Sequence, residues 1–238
     1  MKALLLAGGR GKRIGSLSES KNKCMIEING KPIIEHNLDQ ISECKNYFSE
    51  IIIVVGYRAE DIINRYGIYY KGINIKYAIQ KEQKGLVHAI DCAKDTIGTD
   101  DFFLFLADEI IQNNQNKNML EYFKLNNLFG VCGTLIQNDN KEISKTYSVL
   151  TDTNNKILRL IEKPVNPTNN IQGTGRCVFK NKILSYIDKT PIHYKRNEKE
   201  LPDLIQCAIY DENIIHTFNI CDKYTNINSV EELKNCWS

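Results

Sequence analysis

The sequence predicts an α/β protein built on a doubly wound, mostly parallel (mixed) sheet. Three observations carry this. Short apolar runs alternate with amphipathic helical stretches in β-α-β-α-β order over the first half. Several runs are β-branched and stop at glycine, and polar residues cluster where they stop. Lys2–Ala7 reads as a buried strand ending at Gly8-Gly9. Residues 33–42 read as a helix, because Ile33, Ile34, Leu38 and Ile41 recur near helical spacing. Residues 51–55 form a second strand closed by Gly56, and a helix follows over Ala59–Tyr66. Ile73–Ile79 is a third strand, 86–93 a further helix, and Phe102–Leu106 a fourth strand that runs into Asp108-Glu109. In such sheets ligands bind beyond the carboxyl ends of the strands. Those ends carry residues 8–13, Gln80 and Asp108.

The second half holds shorter strands near 131–136, Tyr147–Thr151, 157–161 and 175–179. Two helical stretches, a strand at 214–220 and a last helix over 230–236 follow. This predicts continuation of the sheet plus a substrate-facing part, with no internal repeat. The Asn/Gln-rich segment 112–118 is expected to be a solvated turn.

The chain has 238 residues, and 31 Lys and Arg against 29 Asp and Glu leave a formal net charge of +2. Near-balance argues against a broad nucleic-acid or membrane-binding face, while leaving room for a local basic pocket. The apolar stretch at 3–7 is too short for a signal-peptide core, and no segment approaches the ~18 apolar residues of a membrane span. The eight cysteines include no Cys-x-x-Cys pair, so zinc ribbons and redox pairs are not expected. Reduced thiols in a cytoplasmic protein are the expectation.

The strongest chemical signal is Ala7-Gly8-Gly9-Arg10-Gly11-Lys12-Arg13, followed by Lys23. Glycines after a buried strand let the backbone turn sharply and aim N–H groups at an anion. The dinucleotide fingerprint fails, because no glycine follows Gly11 at the required spacing. The P-loop also fails, because Gly11-Lys12 leads to Arg13 and not to Ser or Thr. A phosphate-binding loop flanked by Arg13 and Lys23 remains.

This opening resembles that of the sugar-1-phosphate nucleotidyltransferase family, Gly-Gly-x-Gly-Thr-Arg-Leu-x-Pro-Leu-Thr and then Pro-Lys. Gly8, Gly9, Gly11, Arg13, Leu17 and Lys23 match. Lys12 replaces the Thr, Ser16 and Asn22 replace prolines, and Cys24 replaces the Pro after Lys23. Loss of the prolines bears on the loop's rigidity more than on its chemistry. The likeness extends along nearly the whole chain. It implies a Rossmann-like fold in one domain over 1–238, with a nucleotide-binding half at about 1–110 and a sugar-phosphate half at about 111–238.

Gln80 to Ala89 is similar to the family segment that reads the base, in which a Gln side chain and the glycine backbone, here Gln80 and Gly85, hold the imide edge of uracil or thymine. His88 reads as a helix-start packing or hydrogen-bonding residue. Asp108 corresponds to the family Asp that holds Mg²⁺, and Glu109 is expected to face away. The second metal ligand falls on Asn226, seven residues before Leu233, where the family usually has Asp; Asn228 and Asp222 are rivals, and Asn228 or Ser229 could equally cap a helix.

Tyr147-Ser148-Val149 stands where the family has Tyr-Gly-Val. Glu162-Lys163-Pro164, Asn170 and Thr174-Gly175 resemble its Glu-Lys-Pro, Ser-Asn and Thr-Gly stretch. Residues 196–203 resemble a segment preceding a helix. The resemblance implies that Tyr147, Glu162, Asn170, Gly175, Arg196 and Glu198 contact the sugar phosphate. Ala7, Gly8, Gly9, Gly11, Lys12, Gln80 and Gly85 would then hold the nucleotide.

The implied reaction joins a nucleoside triphosphate, UTP or dTTP favoured, to a sugar 1-phosphate and releases pyrophosphate. Both partners are anions, so Arg13, Lys23, Lys163 and Mg²⁺ on Asp108 would do mainly electrostatic work. Small-molecule substrates are the expected partners, with no nucleic acid and no membrane, and a homodimer is left open. Two other readings stay open: a CTP-dependent cytidylyltransferase for a sugar or for a non-sugar phosphate such as phosphocholine, and a non-catalytic regulatory relative that binds nucleotide sugars. The end of the chain near Ser238 leads us to expect no acyltransferase-type β-helix.

Overall fold

β1 (Lys2–Ala7) turns Ala3, Leu5 and Ala7 into one apolar layer and Leu4 and Leu6 into the other. That two-residue alternation, apolar on both sides, is what a strand covered on both faces requires. The computed structural model describes residues 1–11, 14 and 21–236.

A small hairpin of β2 (Glu27–Ile28) and β3 (Lys31–Pro32) follows, then α1 (Ile33–Glu43), β4 (Glu50–Val55), α2 (Ala59–Tyr66), β5 (Tyr69–Tyr70) and β6 (Ile73–Ile79). Next come α3 (Leu86–Cys92), α4 (Lys94–Ile97), β7 (Phe102–Leu106), β8 (Glu109–Gln112), α5 (Asn116–Leu125) and β9 (Gly130–Ile136). The rest is α6 (Asn140–Ile143), β10 (Tyr147–Thr151), β11 (Ile157–Glu162), β12 (Ile171–Phe179), β13 (Ile192–His193) and β14 (Glu198–Lys199). α7 (Leu201–Tyr210), β15 (Ile215–Asn219), β16 (Lys223–Asn226) and α8 (Val230–Asn235) complete it.

The main sheet runs β11-β10-β12-β7-β1-β4-β6-β5, with β9 paired to β12 and β15 to β9. β1 lies parallel to β4 and β7, and β4 parallel to β6. From β12 outward the neighbours turn antiparallel, apart from the parallel β9–β15 pair. The sheet is therefore mixed. Strands of the second half continue the first through the β7–β12 pairing. α1, α2 and α5 contribute buried residues to one layer, and α3, α4 and α7 to the other. Among the described residues no helix is long and apolar enough to cross a membrane.

β1, α2, β6, β7 and β10 occupy the predicted ranges. The segment 112–118 is not a solvated turn. Gln112 ends β8, and Asn116, buried, opens α5. The helix was hidden because its asparagine-rich start carries no apolar spacing, and its buried stripe of Met119, Leu120 and Phe123 begins later. β12 begins at Ile171, before the predicted 175, because its register shifts between Gly173 and Cys177 and the glycines mask the strand pattern. Between 179 and 214 only α7 is an α-helix. The other stretch is a 3₁₀ helix at Asn181–Tyr186, and the β13–β14 hairpin was not anticipated.

Candidate active site

The carboxyl ends of β1, β6 and β7 bring Gly8, Gln80 and Asp108 to one cavity of about 630 Å³. Gly8, Gly9, Gln80, Gln83 and Gly85 line one part of it, and Asp108, Asn226, Asn228 and Lys163 another. A smaller cavity of about 140 Å³ adjoins it, lined by Tyr147, Glu162, Gly175, Glu200 and Glu109 among others. Leu86, Leu106, Lys145, Lys163 and Asn226 border both.

At the glycine end, close approach explains the residue type. A Cβ on Gly8 would stand 2.6 Å from Gln80 Oε1. Gln80 Nε2 donates to the Gly85 carbonyl at 3.0 Å and lies 3.1 Å from His88 Nδ1, in keeping with the hydrogen-bonding role expected for His88. Gln83 Nε2 donates to the Gly8 carbonyl at 2.9 Å. Gly85 has φ +92°, and a Cβ there would meet Glu198 at 2.9 Å. Glu198, expected from the resemblance to contact the sugar phosphate, sits against the base-reading segment and lines the larger cavity. Ala7 is buried behind the loop, and Gly11 packs on the Lys23 stem. Lys12 and Arg13 lie outside the described residues, as do Ser16 and Leu17.

Asn22, which stands where the family pattern has proline, is fully buried and tied on all sides. Its Nδ2 donates to the Tyr57 carbonyl at 2.7 Å and to that of Ala7 at 3.5 Å. Its Oδ1 accepts from the Cys24 amide at 2.9 Å, and its own N–H donates to Asp61 at 2.7 Å. These bonds immobilise the turn by another route than a pyrrolidine ring.

Lys23, on a short 3₁₀ turn, places Nζ 2.6 Å from Asp108 Oδ2 and 3.1 Å from Asn228 Oδ1. Asn228 Nδ2 donates to Asn226 Oδ1 at 2.8 Å. β16 pairs with β8 so that Asn226 faces Glu109, which brings the C-terminal asparagines beside Asp108. Asp222 is bonded instead to Asn113 and lines a separate cavity, so it is no rival for the metal. Ser229 caps α8 through the Glu232 N–H, while the Glu232 carboxylate accepts at 2.7 Å from the N–H of Asn228, the residue before the cap. Capping therefore falls to Ser229, and the Asn228 side chain is turned toward Lys23.

Lys163 adopts a left-handed backbone, φ +44°, unusual for a residue with a side chain. Its N–H donates to the Thr146 carbonyl at 2.7 Å, and its Nζ lies 3.2 Å from Glu162. Glu162 also faces Arg196 at 3.3 Å, and Arg196 Nε donates to Glu200 at 2.6 Å. Burial raises the Glu162 pKa, against the pull of Lys163 and Arg196. Tyr147 donates its hydroxyl to the Thr174 carbonyl at 2.8 Å. Arg196 reaches the smaller cavity only through these carboxylates. Asn170 is exposed at the foot of β12 and is not among the described residues lining either cavity.

Several site residues escaped the sequence reading. Lys145 borders both cavities, ion-paired to Glu142 at 2.7 Å and Glu232 at 3.1 Å. Burial works against its charge, and the two carboxylates outweigh it and raise its pKa. Its position two residues before Tyr147 was the available signal. Glu109, expected to face away from the Asp108 side, is buried and lines the smaller cavity; it accepts from the Gly175 N–H at 2.9 and 3.1 Å and from the Tyr224 hydroxyl at 2.7 Å. Burial pushes it up to about 7, with Arg176 and the Tyr224 bond opposing. No spacing announced Glu109, Glu200 or Gln83.

Comparison with known proteins bears on the family and the fold. The nucleotidyl transferase family model matches residues 2–224. UTP--glucose-1-phosphate uridylyltransferase AglF of Haloferax volcanii is 36% identical over 179 residues, which is 75% of this chain and 72% of that protein. Bifunctional protein GlmU of Methanocaldococcus jannaschii is 33% identical over 214 residues, 90% of this chain, and the chain spans about half (48%) of that relative's length. A UDP-glucose pyrophosphorylase solved with UDP-glucose superposes with a TM-score of 0.86 at 21% identity, covering 98% of this chain and 95% of that one. A UTP-bound UGPase from Acinetobacter baumannii gives 0.79 at 20% identity, covering 98% and 90%. At those identities the solved structures speak for the shared fold.

Proposed function

The chain belongs to the nucleotidyl transferase family, and on that premise we propose that it condenses UTP or dTTP with a sugar 1-phosphate, giving a nucleoside-diphosphate sugar and pyrophosphate. The observation that carries this reading is the convergence of Asp108 and Lys163 on the cavity whose other part is built from Gly8, Gly9, Gln80 and Gly85.

In-line attack by the sugar phosphate on the α-phosphorus brings two polyanions together, so positioning and charge neutralisation dominate the barrier. The Gly8-Gly9 backbone cradles the triphosphate. Lys163 and Lys145, where the two cavities meet, neutralise the attacking phosphate. Lys23 serves the α-phosphate side, and Arg13, which the resemblance places in the glycine loop, neutralises the departing pyrophosphate. Glu162 accepts from sugar hydroxyls in the smaller cavity. The attacking phosphate is already ionised, so no general base is needed.

Asp108 with the amide oxygens of Asn226 and Asn228 offers one charged and two neutral hard donors. That suits Mg²⁺, which keeps waters and takes its remaining ligands from phosphate. Among the described residues no group of three or more His, Cys, Asp or Glu forms a full protein cage. When bound there, the ion would offset the negative charge between the reacting phosphates.

A pyrophosphate-release assay with Mg²⁺, crossing four nucleoside triphosphates with a panel of sugar 1-phosphates, tests the proposal. Release with UTP or dTTP and one or more sugars is expected. Silence with every pair would refute it, and preference for CTP with phosphocholine would move the chain to another substrate class.

A further inference from the structure

Gln80 can read a base only if its amide is held one way round, because its oxygen and nitrogen present opposite polarity. The Gly85 carbonyl, 3.0 Å from Nε2, can only accept, so the nitrogen must face it. The same nitrogen lies 3.1 Å from His88 Nδ1, which therefore accepts and leaves the imidazole proton on Nε2, 3.8 Å from Cys92 Sγ. Both amide hydrogens are thereby engaged away from Gly8. Oε1 is turned to Gly8, 2.6 Å from where a Cβ would stand, at the cavity wall.

We infer that His88 sets the choice of pyrimidine: by accepting from Gln80 Nε2 it keeps the amide oxygen toward the base, which selects an imide N–H over the ring lone pair of cytosine. The inference rests on the proposed nucleotide site and adds a positioning residue to it. His88 acts through Gln80 and touches no reacting atom. Without the Nδ1 acceptor only the Gly85 carbonyl still holds Nε2, so the amide is fixed less firmly and the site loses part of its penalty against cytosine. Sites that hydrogen-bond a substrate group discriminate strongly because a mismatch leaves buried polar atoms unpaired.

The test compares kcat/KM for UTP and CTP in the full chain, His88→Phe, His88→Leu and His88→Asn, each checked for folding by thermal melt. His88→Phe keeps the ring and deletes the acceptor, and His88→Leu repeats the deletion should the larger side chain not fold. His88→Asn carries Oδ1 near the place of Nδ1 and restores it. The UTP:CTP ratio should fall about ten-fold or more in the Phe and Leu variants, mainly through a higher KM for UTP, and stay within about three-fold of the original in His88→Asn. A merely structural histidine would lower both nucleotides together. An unchanged ratio in the folded Phe and Leu variants, or loss of the ratio in His88→Asn, overturns the inference. Calorimetric Kd values for UTP and CTP give the same comparison without turnover, so failure of the reaction itself is separable from failure of the histidine's role.

Discussion

Lys23 Nζ rests 2.6 Å from Asp108 Oδ2, with the Asn228 Oδ1 at 3.1 Å on its other side. The ammonium occupies the carboxylate that a metal ion would need. On the proposed metal site, lysine and metal compete for Asp108, and a metal ion entering there would displace the ammonium.

Lys23→Met should consequently tighten Mn²⁺ binding several-fold in the absence of nucleotide, read by titration of the free-ion EPR signal. The same variant should lose about 10²–10³ in turnover, the scale for one preorganised charge contact. Unchanged or weaker Mn²⁺ binding would show that the two cations do not share Asp108.

Lys163 combines a charge at the junction of the cavities with a left-handed backbone, φ +44°. Glycine adopts that conformation without a Cβ penalty. Lys163→Gly should be more stable than Lys163→Ala by about 1 kcal/mol in urea melts, while both lose about 10²–10³ in turnover. Equal stabilities would remove the strain argument, and retained turnover would remove the catalytic role.

Asp39 accepts from Lys31 at 2.5 Å and from Lys71 and the Tyr70 hydroxyl at 2.6 Å each. Burial alone would raise its pKa, but these bonds outweigh it and hold the carboxyl at about 2. A folded pKa below the unfolded one contributes stability that is present above about 4 and lost as pH falls toward 2. Because Lys71 is largely exposed, Asp39→Asn should cost about 1–2 kcal/mol at pH 7 and much less at pH 2. Urea midpoints at the two pH values check it, and a cost independent of pH would refute it.

Gly85 stands at φ +92° with Glu198 2.9 Å from the position a Cβ would take. Gly85→Ala should lower stability by at least about 1 kcal/mol and raise the KM for nucleotide. Glu198→Ala added to it should relieve the contact and leave the backbone strain, so rescue in thermal melts should be partial. Complete rescue would place the whole effect in the contact.

Much of the site was readable because a parallel strand announces its own end. β1 and β7 are apolar runs that stop at Ala7 and Leu106, β6 alternates apolar and polar residues up to Ile79, and the residues Gly8, Gln80 and Asp108 beyond those ends meet in one cavity. Lys163 was found from Glu-Lys-Pro, but its left-handed backbone has no counterpart in sequence. Asn170 is the reverse case: the motif matched, and the residue is not among the described residues lining either cavity.

The sequence by itself determined the alternation of strand and helix, the glycine loop, and the residues at the carboxyl ends of the parallel strands, because these depend on periodicities of two and 3.6 residues within short windows. Only the tertiary structure decided that β16 lies on β8 and brings Asn226 beside Glu109, and that Lys23 closes on Asp108 and Asn228. It alone decided that Glu109 is buried under Gly175, and that His88 and Gly85 orient Gln80. Those contacts join residues far apart in the chain, or set the direction of one side chain, and burial and hydrogen-bond satisfaction settle them only once the sheet has closed around the site.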